Sequence, residues 1–178
     1  MRMKVSPMWL VTCVVAAAVA PAMAAGDVVV EVKQVSADGV GKSIGTVTLS
    51  DSPHGLLLTP KLEGLTPGLH GFHVHQNPSC EPADKEGKKT AALAAGDHMD
   101  PQKQARHEGP YGEGHLGDLP PLFADASGKV TLPVLAPKLK VTDVKGHALM
   151  VHAGGDNYAD TPEKLGGGGA RIACGVVP

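Results

Sequence analysis

From residue 28 onward the chain alternates apolar and polar positions with a period of two rather than 3.6. Val28, Val30 and Val32 share one face of a segment whose other face carries Val29, Glu31 and Lys33. Thr46 and Thr48 against Val47 and Leu49 repeat the pattern, and residues 56–62 form a third run, bent at Pro60. Alternation of this kind puts one face in a core and the other in solvent, so each run predicts a strand. Further strands are expected over residues 69–75, 129–135, 147–152 and 171–177. Pro133 has no N–H to give a ladder, so its strand is expected at an edge or a bulge. Clusters such as Gly64-Leu65-Thr66-Pro67-Gly68 separate the runs, as in sandwiches and barrels. The fold class predicted is all-β, with two long loops over residues 76–122 and 153–170. Loops that long in a compact domain are usually functional or disordered, and these two carry the chemistry described below.

Composition adds three constraints. Aromatic residues make up only 3% of the chain, so the core must be built largely from Val, Leu and Ala. The length, 178 residues, suits one domain. Arg2 and Lys4 precede an apolar run from Met8 to Ala20, and Ala22-Met23-Ala24 offers a small-residue cleavage site. Residues 1–24 therefore read as a cleaved secretory signal peptide, too short and wrongly flanked for a stable membrane span, with a mature domain over 25–178. A lipoprotein signal on Cys13 competes poorly, because Thr12 precedes that cysteine and the apolar run continues past it.

Removing residues 1–24 takes away two basic residues and no acidic ones, moving the formal charge from -2 to -4. A mildly acidic domain has no electrostatic footprint for nucleic acid. Cys80 and Cys174 are then the remaining cysteines, and in an exported protein a disulfide between them is the default expectation. An export signal of this kind points to the periplasm.

Most of the chain's 9 histidines fall into one pattern. His73 and His75 are two apart in a predicted strand, so their rings project from one face while Phe72 and Val74 face the other. His115 and Asp118, three apart with Gly114 and Gly117 beside them, can fold onto one ion. His107 and His98 lie upstream in the same loop and complete a set of three imidazoles and a carboxylate, suited to tetrahedral zinc. His152 ends a strand and is a natural further ligand beside His73 and His75. Three histidines make a thin copper(II) site, so His98 is a candidate to bridge both ions. Arg171, alternating with Ile172, points away from the core, where a permanent cation beside an open copper position would attract a small anion.

The remaining histidines take structural assignments. His70 has the opposite parity to the pair and reads as a hydrogen-bonding residue, while His54 sits in a Ser-Pro-His-Gly turn and reads as solvated. His147 has the opposite parity to His152, which argues against ligation. Lys85-Glu86-Gly87-Lys88-Lys89 reads as a solvated loop rather than a binding patch.

With these residues in view, the chain resembles the copper,zinc superoxide dismutases of the exported bacterial type. The likeness runs from Asp27 to Val177. It is most specific at Gly71-Phe72-His73-Val74-His75, Gly114-His115-Leu116-Gly117-Asp118-Leu119-Pro120, His152-Ala153-Gly154-Gly155-Asp156-Asn157 and the Gly166 to Gly175 stretch around Arg171 and Cys174. The resemblance implies a Greek-key β-barrel of sandwich type. It implies copper on His73, His75, His98 and His152, and zinc on His98, His107, His115 and Asp118. It further implies a Cys80–Cys174 disulfide, Arg171 as anion guide, and Asp156 as a carboxylate hydrogen-bonded to ligand imidazoles on both metals, here His73 and His107. Many members have Gly where Asp97 stands before His98, which alters the local charge. The chain ends at Pro178, short of the C-terminus of cytosolic eukaryotic members, so their dimer contacts are not carried over; a monomer and a homodimer both stay open.

The reaction implied is dismutation of superoxide, the small anionic substrate, with His98 and Arg171 as the catalytic residues and Lys164 as a second steering charge. The alternative is a periplasmic copper or zinc carrier without catalysis. A carrier would use thiolate or thioether for copper, where only Met99 and Met150 are near, and it has no need of Arg171.

Overall fold

A computed structural model describes Met1 and residues 26–178. The signal-peptide segment and Cys13 lie outside the described residues apart from Met1. Strands β1 (Val28–Ser36), β2 (Gly39–Ser52) and β3 (Gly55–Leu62) form an antiparallel meander, as their alternation requires. Short strands follow: β4 (Gly68–His70), β5 (Phe72–His75), β6 (Ala83–Lys85), β7 (Lys88–Thr90), β8 (Leu122–Ala124) and β9 (Val134–Ala136). A single helical turn, α1 (Val141–Val144), precedes β10 (Ala148–His152) and β11 (Arg171–Val176). Seven strands make one sheet in the order β5-β10-β11-β1-β2-β3-β9, while β4 pairs with β8 and β6 with β7. The non-sequential neighbours β5 and β10, β11 and β1, and β3 and β9 give the crossing connections of a Greek key.

Val30, Val32, Val47, Leu49, Leu56 and Leu58 fill the concave face with Phe72, Val74, Leu149 and Val151, all buried. The core is aliphatic, as the low aromatic content demands, and each such side chain contributes roughly 1.5–3 kcal/mol by leaving water. Val29, on the opposite parity of β1, is 58% exposed.

Four details depart from the sequence reading. The run 69–75 is two strands, because Gly71 breaks it: its N–H donates to Gly154 O at 2.7 Å and its carbonyl accepts from His152 N–H at 2.8 Å. A side chain there would crowd Gly155 O and the His73 ring, each 3.2 Å from a Cβ at that position. The run 129–135 does not form a continuous strand. Val130 makes an isolated bridge to Leu62, and pairing resumes only at Val134, after Pro133, in β9 at the sheet edge. The stretch around Lys85 is solvated but is a hairpin rather than a loop, turning through Glu86 and Gly87 with φ of 53° and 77°. His147 precedes β10 instead of starting it.

Cys80 and Cys174 are bonded, with Cα atoms 5.7 Å apart and a sequence separation of 94. The bond ties the long loop after β5 to β11, and closing so long a loop contributes up to about 4–5 kcal/mol in the chain-entropy view.

Candidate metal centre

β5 is paired on both sides, which is what orders the long loop. One side is the ladder to β10, where Met150 faces His73 and Ala148 faces His75. On the other side the loop returns twice to the strand. Val74 N–H donates to Gly117 O, Met99 N–H to Val74 O, and Gln76 N–H to Asp97 O, at 2.8, 2.8 and 3.0 Å. These bonds set His98 opposite His75 and Asp118 opposite His73. His152 ends β10 and is paired with Arg171, the first residue of β11. Residues far apart in sequence thereby converge on one face of β5.

The six histidine rings pack together and are buried or nearly so; His73 stacks on His98 with centroids 4.0 Å apart. Most have one nitrogen committed. His75 Nδ1–H donates to Gly96 O at 2.9 Å, His152 Nδ1–H to Gly169 O at 3.2 Å, and His73 Nε2–H to Asp156 Oδ2 at 2.8 Å. His107 Nε2–H donates to Asp156 Oδ1 at 2.7 Å, so one carboxylate holds two rings. His98 Nδ1–H donates to Asp118 Oδ1 at 2.9 Å.

The uncommitted atoms are the informative ones. His73 Nδ1, His75 Nε2, His98 Nε2 and His152 Nε2 are buried without a hydrogen-bond partner, as are His107 Nδ1 and His115 Nδ1. His107 Nδ1 lies 2.9 Å from Asp118 Oδ2 and His115 Nδ1 lies 3.4 Å from Asp118 Oδ1, close but off the hydrogen-bond direction. Orphaned buried nitrogens cost free energy unless something occupies the space they face. By proximity alone, atoms within 4.8 Å of one another form two quartets: His73, His75, His98 and His152, and His73, His98, His107 and Asp118. His73 has only Nδ1 to offer, since Nε2 is bonded to Asp156, so it can serve one quartet and not both. His115 falls outside the second proximity group, yet its open Nδ1 faces the same carboxylate.

Electrostatics divide the cluster in the same way. Burial pushes His73 down to about 3 and His152 down to about 4, and it holds His75 and His98 below the ordinary imidazole value as well. Neutral imidazole is the form that ligates. Burial also acts to lower His107, but the Asp118 carboxylate 2.9 Å away and the hydrogen bond to Asp156 outweigh it and push the ring up to about 9. The nearby Asp118 carboxylate, 3.4 Å away, raises His115. Burial works to raise Asp118 and Asp156, yet His107 and the other imidazoles beside them hold both carboxyls well below their usual range.

Arg171 is half-buried, with Nη1 donating to Ala92 O and Nη2 to Gly96 O, both at 2.7 Å. Gly96 O thus accepts from His75 and Arg171 together, which fixes the cation beside the first quartet. His70 is buried in a structural role, its ring bonded to His152 O at 2.7 Å and Thr66 O at 2.8 Å, while His54 is exposed. His147 reaches His75 O at 3.1 Å through Nδ1 and points no atom into either quartet. Lys164 opens a tight turn, Lys164–Gly167. In that turn Gly166 adopts φ of +71°, and a side chain on it would collide with the Asp156 carboxylate.

One residue escaped the sequence reading. Asp160 accepts the backbone N–H of His107 at 2.8 Å and that of Leu165 at 3.1 Å, pinning the second loop to the first. An Asp in a turn region is the general signal for such a bond, but nothing in the sequence pairs it with residue 107.

The sequence profile of the family described as "Copper/zinc superoxide dismutase (SODC)" matches residues 43–177. The chain is 54% identical over 158 residues to copper-zinc superoxide dismutase 1 of Salmonella typhimurium, spanning 88% of this chain and 89% of that protein. It is 59% identical over 140 residues to the Brucella abortus enzyme, covering 78% and 81%, and 55% identical over 149 residues to that of Escherichia coli, covering 83% and 86%. The solved Cu/Zn superoxide dismutase of Brucella abortus superposes with a TM-score of 0.85 at 54% identity, over 86% of this chain and all of that one. The solution structure of the monomeric Salmonella enterica enzyme gives 0.78 at 54% identity, over 86% of this chain and 100% of that one.

Proposed function

The chain belongs to the copper/zinc superoxide dismutase family, and from that premise we propose a residue-by-residue assignment of its two ion sites. The protein is a Greek-key β-barrel enzyme that dismutates superoxide, with copper and zinc as its cofactors. Copper is assigned to His73 Nδ1, His75 Nε2, His98 Nε2 and His152 Nε2. Zinc is assigned to the Nδ1 atoms of His98, His107 and His115 with the Asp118 carboxylate. The observation that carries the assignment is the set of six buried imidazole nitrogens with no partner, four facing one space and two facing the Asp118 carboxylate. His115 joins the second set in place of His73 because His73 has no second nitrogen to give. His98 is the only ring with an atom in each set.

Bound copper supplies the one-electron oxidation and reduction of superoxide, so that two superoxide anions and two protons become oxygen and hydrogen peroxide. The chain's own residues manage position, charge and one proton. His73 and His75 are held on a strand whose other face is core, so they cannot swing away. Asp156 fixes His73 and His107 in the tautomer that turns Nδ1 toward the ions. With copper bound, His98 Nε2 would be the atom able to exchange its metal bond for one of the two protons the reaction consumes. Arg171 offers a permanent positive charge beside the copper set, assisted by Lys164. Steering must be local, since the mature domain is net negative. Met99 and Met150 pack within clusters of apolar side chains, and the nitrogens of the first quartet are supplied by imidazole alone.

We also propose that residues 1–24 direct export, that the mature domain spans 25–178, and that it works in the periplasm. The disulfide and the bacterial relatives support this reading. Metal content per chain, with superoxide consumption before and after chelation, tests the assignment. One copper and one zinc per chain are expected, with activity lost on chelation and restored by copper. Full activity after both metals are removed would refute it.

A further inference from the structure

We infer that Asp97 opposes Arg171 at the copper face, so that this chain captures its anionic substrate more slowly than its metal ligands would allow. The inference rests on Arg171 being the anion guide. Asp97 lies between two residues of the site: Gly96, whose carbonyl accepts from both Arg171 and His75, and His98. Its own carbonyl accepts Gln76 N–H at 3.0 Å, which fixes the backbone there, and its side chain is exposed. Arg171 spends its donors on the carbonyls of Ala92 and Gly96 rather than on a carboxylate, so its charge is not neutralised by a direct pair.

Bond lengths alone then limit the separation. The Asp97 Cα is one peptide unit beyond the oxygen that Arg171 holds, and its carboxylate lies within about 8 Å of the guanidinium. That is inside the screening length at physiological salt. Burial disfavours the guanidinium's charge, and the carboxylate of Asp97 is the charged group that favours it. A group that stabilises the cation also weakens the field an approaching anion meets. One unit charge at this distance in a water-like medium changes the local anion concentration by about 2- to 3-fold.

The test is a graded charge series at position 97: wild type, Asp97→Glu, Asp97→Asn and Asp97→Lys, each referred to copper bound per chain. Two quantities are read. One is the second-order rate constant for superoxide, by pulse radiolysis, across ionic strength. The other is azide affinity at copper(II), titrated by absorbance without turnover. At low salt, Asp97→Asn should raise both by about 2- to 3-fold, Asp97→Lys should go further, and Asp97→Glu should match wild type. The differences should shrink as salt rises. If Asn and Lys leave both rate and azide affinity unchanged at low salt, the inference is overturned. A wild-type protein that binds both metals but consumes no superoxide would overturn the parent assignment instead, so the two failures are distinct.

Discussion

His98 donates from Nδ1 to Asp118 Oδ1 at 2.9 Å, while its other nitrogen, Nε2, is buried facing three more imidazoles and bonded to nothing. One nitrogen of this ring thus faces the Asp118 carboxylate and the other faces the remaining imidazoles of the first quartet. The same ring stacks on His73, whose Nε2 is tied through Asp156 to His107 on the zinc side. The two sites therefore share one ring and one carboxylate, and disturbing either link should be felt at both.

Asp156→Ala removes the acceptor of two ligand rings. Losing such a support commonly costs 10- to 100-fold in metal affinity. Zinc affinity measured against a competing chelator should fall by about that factor, with copper binding less affected because three of its rings keep their partners. An unchanged zinc affinity would mean that Asp156 supports only the fold.

Arg171→Glu reverses the charge beside the copper set. The rate constant at low salt should drop by about 10-fold or more, and the fall of rate with salt should flatten or invert, at unchanged metal content. Arg171→Lys keeps the charge but loses the forked hold on Ala92 and Gly96, so it should retain the sign of the salt dependence. A rate indifferent to Glu at position 171 would remove Arg171 from catalysis.

Acid should release zinc before copper. His107, pushed up to about 9, carries a proton at neutral pH in the empty site, and zinc must displace it. Its contribution to zinc affinity therefore weakens by about tenfold per unit as pH falls below that value. His73 and His152, pushed down to about 3 and about 4, are already neutral above those values, so protons compete for copper only at lower pH. Metal analysis after dialysis over a descending pH series checks the order; copper leaving first would contradict it.

Cys80→Ser should cost stability and activity together. Loss of the bond removes about 2–5 kcal/mol, read as a lower melting temperature. It also frees the loop whose Ala92 and Gly96 carbonyls hold the Arg171 guanidinium. The rate should fall while metal content holds. A variant that is destabilised but fully active would separate the disulfide from the anion guide.

Much of this molecule could be read along the chain. Period-two alternation in β1 to β3 yields the sheet because one buried face is a physical necessity, and the parity of His73 and His75 follows from it. What could not be read depends on the backbone. Gly71 splits a run of seven alternating residues because His152 and Gly154 dock on its carbonyl and N–H, contacts 81 and 83 residues away that no local pattern encodes. The anchors of Arg171 are main-chain oxygens, which every residue type carries equally. Asp160 bonds another main-chain atom, at His107. The hairpin at Lys85–Lys88 was hidden for a different reason: its charged composition resembles a loop, while the turn rests on Glu86 and Gly87 taking positive φ.

Anomalous diffraction from crystals of the remetallated protein, collected at the copper and zinc absorption edges, addresses the shared ring most directly. The assignment predicts one peak of each metal per chain, copper next to Nε2 of His98 and zinc next to Nδ1 of the same residue. A single metal peak in fully loaded crystals, or a His98 ring that touches only one of two ions, would contradict it.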